Sequence, residues 1–245
     1  MHIGVIPARA GSKRFPGKNR AILNGKSLWR ISAQKSTETM DRTIVNSDDR
    51  MVEVQNALKA NSVEFYQRPE DLCGDDVRID EVLLEMVDTL DLDDNDFIHL
   101  FQPTSPFTRK ITIQRGKELL ESNDNADSVQ SVFPIPNVLH AYSQRIRKQG
   151  GYVEFAYPAE RSARFNSQRK PEHYSFAGYV AFRVGSLRKY GNIWGEVSIG
   201  IQAEAIETVD IDTREDLENA IRLTRTDVRG ESCISSSIRG LGATV

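Results

Sequence analysis

A cluster of basic side chains follows the first apolar segment of the chain, residues 3–8. The cluster consists of Arg9, Lys13, Arg14 and Lys18. An apolar run closed by Pro and Gly residues is typical of a buried strand that leads into a loop. Gly11 and Gly17 lie among the basic residues and allow backbone N–H groups to approach a ligand closely. Such a loop suits a polyphosphate, whose negative charge the side chains would neutralise.

Within this loop, Arg9 and Lys18 are the expected phosphate contacts, and Lys13 with the backbone of Gly11 and Ser12 would complete the site. Spacing excludes two common phosphate-binding motifs. A Walker A loop needs four residues between its first Gly and a Gly-Lys-Ser/Thr ending, and the dinucleotide motif needs G-x-G-x-x-G; neither pattern occurs here. The alternative interpretation is a solvated basic turn without a ligand.

Two carboxylates near the other end of the chain form a second candidate site. Asp210 and Asp212 are two positions apart and precede a predicted helix. At the end of a strand, this spacing places both side chains on one face, where they can share a hard cation such as Mg²⁺. The alternative is that both are ordinary polar residues before a helix N-terminus, where carboxylates are favoured.

Neutral polar side chains follow the buried strand predicted at residues 97–101. They are Gln102, Thr104 and Ser105. Ligands of open α/β sheets bind beyond the carboxyl ends of the strands, so these side chains are candidates for contacting an acceptor substrate. The alternative is a Pro-rich turn whose hydroxyls bond the backbone. Asp48 and Asp49, also at a predicted strand end, are interpreted as structural turn residues.

The elements that must position these side chains alternate between strands and helices, which predicts crossover units and a mostly parallel sheet. The three loops after strands one, two and four should meet at one edge of the sheet. Strands are expected at residues 3–8, 43–46, 63–66, 97–101, 128–133, 179–184 and 199–206. Helices are expected from Leu28, over 51–58, 79–90 and 111–121, and over 214–225 with Thr213 as its cap.

Length and composition favour one domain over residues 1–228, with an insertion at 134–175 and a tail at 229–245 that is rich in Ser and Gly. The net charge of −3 and the pI of about 5.9 argue against a nucleic-acid partner. Cys73 and Cys233 are far apart, so neither a disulfide framework nor a zinc site is expected. The short N-terminal apolar run predicts no membrane association, and we expect a cytoplasmic protein.

Residues 6–19, IPARAGSKRFPGKN, resemble the nucleotide-binding signature of the acylneuraminate cytidylyltransferases, which couple CTP to an acidic nine-carbon sugar. Further segments match this family in order and spacing over nearly the whole chain. They are VNSDD at 45–49, RPEDL at 68–72, FQPTSP at 101–106 and VDID at 209–212.

The resemblance implies a three-layer, Rossmann-like nucleotide-diphospho-sugar transferase fold of the α/β class. It also implies a Mg²⁺ ion held by Asp210 and Asp212, catalysis by Arg9, Lys18 and Asp212, and a homodimer formed through the insertion. The expected CTP site comprises Arg9, Ala10, Gly11, Ser12, Lys13, Lys18, Asn19 and Arg68.

The sequence departs from the family pattern in the half that would bind the acceptor. Ser175, Ala177 and His140 stand where the family typically carries a basic residue, an Asn and a Pro-Leu-Lys segment. The acceptor is therefore open among sialic, legionaminic and pseudaminic acids, with a 3-deoxy sugar acid or a phosphonate as alternatives. A nucleotide-binding regulatory protein without catalysis is the alternative from a different class.

Overall fold

The computed structural model of the protein describes residues 1–52 and 63–227. The predicted tail at 229–245, most of the helix predicted over 51–58, and Cys233 lie outside these ranges. The strands are β1 (His2–Pro7), β2 (Ile22–Leu23), β3 (Lys26–Ser27), β4 (Arg42–Ser47), β5 (Glu64–Gln67), β6 (Phe97–Phe101), β7 (Ser128–Pro134), β8 (Arg145–Arg147), β9 (Val153–Phe155), β10 (Tyr174–Arg183) and β11 (Ser198–Gln202). The helices are α1 (Leu28–Thr39), α2 (Ile79–Thr89), α3 (Lys110–Ser122), α4 (Pro158–Ala163), α5 (Val184–Tyr190) and α6 (Arg214–Asp227).

The central sheet has seven strands in the order β11-β7-β10-β6-β1-β4-β5. Only β10 runs antiparallel to its neighbours among these seven strands. The prediction of a mostly parallel α/β sheet is confirmed. Because β6, β1 and β4 are adjacent and parallel, the loops that follow them emerge at one edge, as the sequence predicted.

Both faces of the sheet are covered, which explains why its central strands are continuous apolar runs. One face packs against α2 and α5 through a cluster that includes Leu83, Met86 and Leu187. The other face packs against α1 and α3 through a cluster that includes Trp29 and Ile113. The result is the three-layer arrangement expected for the fold.

A third apolar cluster lies at the carboxyl edge of the sheet, beneath the basic loop. Phe15 of that loop packs with Leu23, Leu28, Ile211 and Ala220. Phe15 and Ile211 are close to opposite ends of the described chain, so their burial together brings the two predicted functional segments side by side. Each buried side chain of this size contributes roughly 1.5–3 kcal/mol.

Three sequence predictions about strands are wrong in detail. The strand expected over 199–206 ends at Gln202, because Glu204 and Glu207 form a capping box that starts a 3₁₀ helix at Ala205–Thr208. The strand expected at 179–184 begins earlier, at Tyr174, because β10 pairs with β7 across a register shift between Phe176 and Val180. Asp210 and Asp212 follow the 3₁₀ helix rather than a strand.

The predicted insertion, residues 134–175, leaves the sheet at the end of β7 and returns at the start of β10. It contains the β8–β9 hairpin and the short helix α4. Its aromatic rings pack mainly on cations and on one another: the Arg145 and Arg161 guanidiniums lie over the Phe155 ring, and His140 stacks on His173. Several apolar side chains remain exposed, namely Val138, Leu139, Ile146, Tyr152, Val153, Tyr157 and Phe165.

A chain of hydrogen bonds crosses the core and links three strands to the exposed Glu121 of α3. Tyr179 Oη lies 2.8 Å from His99 Nδ1, His99 Nε2 lies 2.8 Å from His2 Nδ1, and His2 Nε2 lies 2.8 Å from Glu121 Oε1. A carboxylate only accepts, so with both imidazoles neutral each group donates towards Glu121, starting from the Tyr179 hydroxyl. The histidines therefore serve packing, as the sequence suggested.

Burial lowers the pKa of His2 and holds the pKa of His99 well below its ordinary value. The unfolded chain therefore binds more protons than the folded chain below about pH 6.5, so stability falls as the pH falls. Glutamine at position 99 offers one acceptor and one donor without titrating. We expect His99→Gln to lose less stability than the wild type between pH 6.5 and 5.5, by about 1 kcal/mol.

Urea unfolding at the two pH values measures this difference, and His173→Gln, in the insertion, is the matched control. An equal loss of unfolding free energy in the wild type and in His99→Gln would contradict the assignment.

Candidate active site

A cavity of about 310 Å³ opens at the carboxyl edge of the sheet, beyond β1, β5 and β6. Three predicted nucleotide contacts supply positive charge to its wall, namely Arg9, Lys18 and Arg68. Gly11, Ser12 and Asn19 also line it, as do the predicted acceptor contacts Gln102 and Thr104. Its apolar wall consists of Val77, Ile79, Val82 and Leu100.

Lys18 is fixed by the local structure of the basic loop. Gly17 has a φ of 71°, in the left-handed region that favours glycine, and begins a 3₁₀ turn at Lys18–Arg20. The Lys18 backbone N–H donates to the carbonyl of the buried Phe15 at 3.0 Å. The third apolar cluster thereby holds the backbone from which Lys18 reaches into the site.

Lys18 Nζ donates to Asp212 Oδ1 at 2.8 Å, and Arg14 Nη2 donates to Asp212 Oδ2 at 2.5 Å. The hydrogen bond from Lys18 holds the pKa of Asp212 below its ordinary value, with a further contribution from the charge of Arg14. Asp212 is half-buried and ionised at neutral pH. The basic loop and one of the two predicted metal carboxylates, Asp212, are therefore in direct contact.

Asp210 and Asp212 flank Ile211 in a segment that is not a strand. Ile211 is completely buried, Asp210 is exposed and Asp212 is half-buried. Thr213 caps the start of α6, as predicted: its Oγ1 accepts from the Asp216 backbone N–H at 3.2 Å, and the Asp216 carboxylate accepts from the Thr213 backbone N–H at 2.8 Å. Within residues 1–52 and 63–227, no group of three or more His, Cys, Asp or Glu side chains has the arrangement of a metal site.

Two carboxylates are nevertheless compatible with the coordination of Mg²⁺. This ion commonly binds one or two protein carboxylates and completes its shell with phosphate oxygens and water. Asp212 fits that requirement through its contact with Lys18, which lines the cavity, and Asp210 lies two residues before it.

Asp75 is a site residue that sequence reasoning missed. Its two carboxylate oxygens accept from Arg9 Nη2 at 2.8 Å and from Lys13 Nζ at 2.6 Å. The hydrogen bonds from Lys13 and Arg9 lower the pKa of Asp75. The one signal in the sequence was proximity, because Asp75 follows shortly after the RPEDL segment at 68–72, which matches the family.

Arg68 is a buried cation beside the cavity. Its guanidinium donates to the neutral side-chain and backbone oxygens of Asn46, at 2.7 and 3.4 Å. Burial lowers its pKa, which reflects the cost of holding a charge in this environment. An anionic ligand in the cavity would offset that cost.

Further contacts of the predicted residues stabilise the backbone of the basic loop. The Ala10 backbone N–H donates to Asp48 Oδ1 at 2.7 Å, and Asn19 Nδ2 donates to the Arg9 carbonyl at 2.9 Å. Asp49 pairs with Arg20 at 3.0 Å. Asp48 and Asp49 therefore have the structural role expected for turn residues.

Ser105 is the one predicted acceptor contact that does not line the cavity. It is buried against Gly178, at the register shift of β10. Gly178 has a φ of 90°, and a Cβ there would lie 2.5 Å from Ser105 Oγ. Only glycine satisfies both constraints at this position.

The fold and site define a class: an α/β protein with paired cations and carboxylates at a cavity of about 310 Å³, the size of a small-molecule site, at the carboxyl edge of its sheet. Residues 3–232 match the cytidylyltransferase family, and the chain belongs to it. This is a family of CTP-dependent nucleotidyltransferases, as the motifs predicted.

The chain is 32% identical over 156 residues to the CMP-N,N'-diacetyllegionaminic acid synthase of Legionella pneumophila, covering 62% of this chain and 66% of that protein. It is 28% identical over 225 residues to the N-acylneuraminate cytidylyltransferase of Escherichia coli, covering 90% of this chain but only 51% of that protein. With the 3-deoxy-manno-octulosonate cytidylyltransferase of Actinobacillus succinogenes it shares 27% identity over 255 aligned positions, gaps included, and the match covers 87% of this chain and 94% of the relative.

A similar solved structure is that of a CMP:2-keto-3-deoxy-manno-octonic acid synthetase complexed with CTP, with a TM-score of 0.67 at 17% identity. The match covers 92% of this chain and 99% of that one, and it confirms the Rossmann-like fold. Across residues 1–52 and 63–227, no helix has the length and apolar character needed to cross a membrane.

Asp75 neutralises two cations that a triphosphate would contact. We expect Asp75→Asn to bind inorganic tripolyphosphate and CTP several-fold more tightly than the wild type, because the anion no longer competes with a carboxylate. Calorimetric titration at low salt measures the affinities, and added salt should shrink the difference. Asp76→Asn, at the adjacent exposed carboxylate, is the matched control. Equal affinities in Asp75→Asn and the wild type would contradict this electrostatic account.

Proposed function

We propose that the protein transfers CMP from CTP to the hydroxyl of an acidic nine-carbon sugar of the sialic, legionaminic or pseudaminic type, releasing pyrophosphate. The contact between Lys18 and Asp212 carries this proposal. It joins the cationic loop to a carboxylate beside a cavity that also holds Arg9 and Arg68.

The reaction requires an acceptor hydroxyl to attack the α-phosphorus while the bond to the pyrophosphate oxygen breaks. No covalent nucleophile is needed, so positioning and charge stabilisation account for most of the rate enhancement. In this proposal Arg9 and Lys18 bind the phosphates and Lys13 assists them. Gly11 and Ser12 offer backbone donors, and Arg68, which also lines the cavity, adds a further positive charge.

Gln102 and Thr104, which line the same cavity as the basic loop, supply neutral hydrogen-bonding groups for the acceptor. A nine-carbon acid is favoured by the identity to the legionaminic acid synthase, which is the highest of the three relatives described above. A 3-deoxy sugar acid is the second candidate, and the match to nearly the full length of a 3-deoxy-manno-octulosonate enzyme favours it. A regulatory protein without catalysis is less favoured because Lys18, Asp210 and Asp212 are all present.

Asp210 and Asp212 are the proposed ligands of a Mg²⁺ ion that enters with the nucleotide. When bound, the ion would reduce the charge on the phosphates and stabilise the departing pyrophosphate. Lys18 would then exchange its contact with Asp212 for one with a phosphate.

A second copy of this chain is the proposed partner of the insertion. The exposed apolar side chains of residues 138–165, interleaved with stacked arginines, have the composition of an interface core. This part of the proposal predicts a dimer in solution.

The central activity predicts release of pyrophosphate from CTP and Mg²⁺ in the presence of one class of acidic sugar. A panel of nine-carbon acids, a 3-deoxy octulosonic acid and phosphonates identifies the acceptor. Lys18→Met should lower turnover by at least about 100-fold, the scale of losing one charge-stabilising donor. Lys26→Met, an exposed lysine that contacts Gln34, is the control. No turnover with any acceptor would overturn the proposal.

The metal assignment predicts a selective effect of Asp212→Asn on nucleotide binding. In the wild type, Mg²⁺ should tighten CTP binding, because it adds a carboxylate–metal–phosphate bridge. Asp212→Asn should lose most of this gain and retain binding without metal. Calorimetry with and without Mg²⁺ separates metal-dependent from metal-independent CTP binding. Glu215→Gln, at a nearby exposed carboxylate, is the control. The same Mg²⁺-dependent gain in Asp212→Asn would remove Asp212 from the metal site.

A further inference from the structure

The loop at residues 102–109 carries Gln102 and Thr104 to the cavity, and its backbone is bonded to elements on both sides. On one side, Ser32 Oγ of α1 donates to the Gln102 carbonyl at 3.2 Å. On the other, the Ile211 backbone N–H donates to the Thr104 carbonyl at 2.8 Å. The loop therefore lies between α1 and the segment that carries Asp210 and Asp212.

Lys35 of α1 makes the most specific contacts with this loop. Its ammonium donates to two backbone carbonyls, those of Pro106 and, at 2.8 Å, Thr108. The two carbonyls are two residues apart, so one cation fixes the turn between them. An apolar side chain of similar length would fill the space but could not make these bonds.

Glu207, in the 3₁₀ helix at Ala205–Thr208, bonds the same loop. It is buried, and its Oε1 accepts from the Arg109 backbone N–H at 2.9 Å while its Oε2 accepts from the Glu204 N–H at 3.0 Å. Its charge is the largest factor favouring the charged form of Lys35. Lys35 and Glu207 are thus two opposite charges that both bond the backbone of residues 106–109.

A lysine at position 35 is energetically unfavourable because its ammonium is buried. Burial lowers the pKa of Lys35 to about 8, so at neutral pH the folded state retains a charge that its surroundings disfavour. Stability alone gives no reason for a lysine here, because apolar residues often replace buried charges without loss. The cost is accounted for if the geometry of the 102–109 loop matters to function.

We propose that Lys35, opposed by Glu207, is a positioning residue that sets the 102–109 loop and thereby the contacts of Gln102 and Thr104 with the acceptor. Lys35 does not line the cavity, and it acts through the loop backbone. This inference rests on the proposed function, because it assigns the loop to the acceptor rather than to CTP.

Lys35→Met tests the proposal through steady-state kinetics with CTP and the best acceptor of the panel. We expect the KM for the acceptor to rise on the order of tenfold, the scale of losing charge-assisted hydrogen bonds. The KM for CTP should change by less than about twofold, since a merely structural defect would not separate the two substrates. Lys110→Met, at an exposed lysine that pairs with Glu38, is the matched control.

Hydrogen exchange of residues 102–110 provides a readout that does not depend on turnover. Faster exchange in Lys35→Met than in Lys110→Met is expected, because the loop loses its anchor on α1. Unchanged exchange, or equal changes in both KM values, would overturn the proposal. If Lys35→Met does not fold, the isosteric Glu207→Gln carries the same two expectations. A wild type that turns over no acceptor defeats the proposed function, while the exchange experiment still decides whether Lys35 anchors the loop.

Discussion

The ion pair between Lys18 and Asp212 is the contact on which the site depends, because it joins two segments 194 residues apart in the chain. An exposed ion pair contributes only about 0–1 kcal/mol and does not hold such segments together by itself. Apolar burial provides that force, since Phe15 and Ile211 share one cluster beneath the site. The hydrophobic cluster fixes the distance between the basic loop and the segment that carries Asp212. The charged side chains above the cluster are then available for a ligand.

Neighbouring carboxylates neutralise the cationic loop, which explains how it folds without a bound anionic ligand. Asp75 and Asp212 between them pair with four cations, Arg9, Lys13, Arg14 and Lys18. Each of these pairs is partly exposed and therefore weak enough to be exchanged. A triphosphate carries more charge than the two carboxylates and fits the same donors. The ion pairs thus hold the site near its binding geometry, and a triphosphate can still displace the two carboxylates.

The features that local sequence determines were predictable: the apolar run of β1, the apolar stripe of α2, and the basic loop with its glycines. The features that sequence reasoning missed depend on distant contacts. The antiparallel β10 is set by pairing with β6 and β7. Asp75 and Lys35 take their roles from partners more than 60 residues away, to which no local pattern points. The pairing of Asp210 and Asp212 as metal ligands stays a prediction; they flank the buried Ile211 in a segment that is not a strand.

The most direct test of the account is a crystal structure of the protein with CTP and Mn²⁺, using the anomalous signal of manganese to locate the metal. The account predicts Lys18 Nζ on a phosphate oxygen, Arg9 released from Asp75, and the metal within about 2.2 Å of an Asp212 oxygen. A nucleotide bound away from the basic loop, or a metal remote from Asp212 while Lys18 still pairs with that carboxylate, would contradict it.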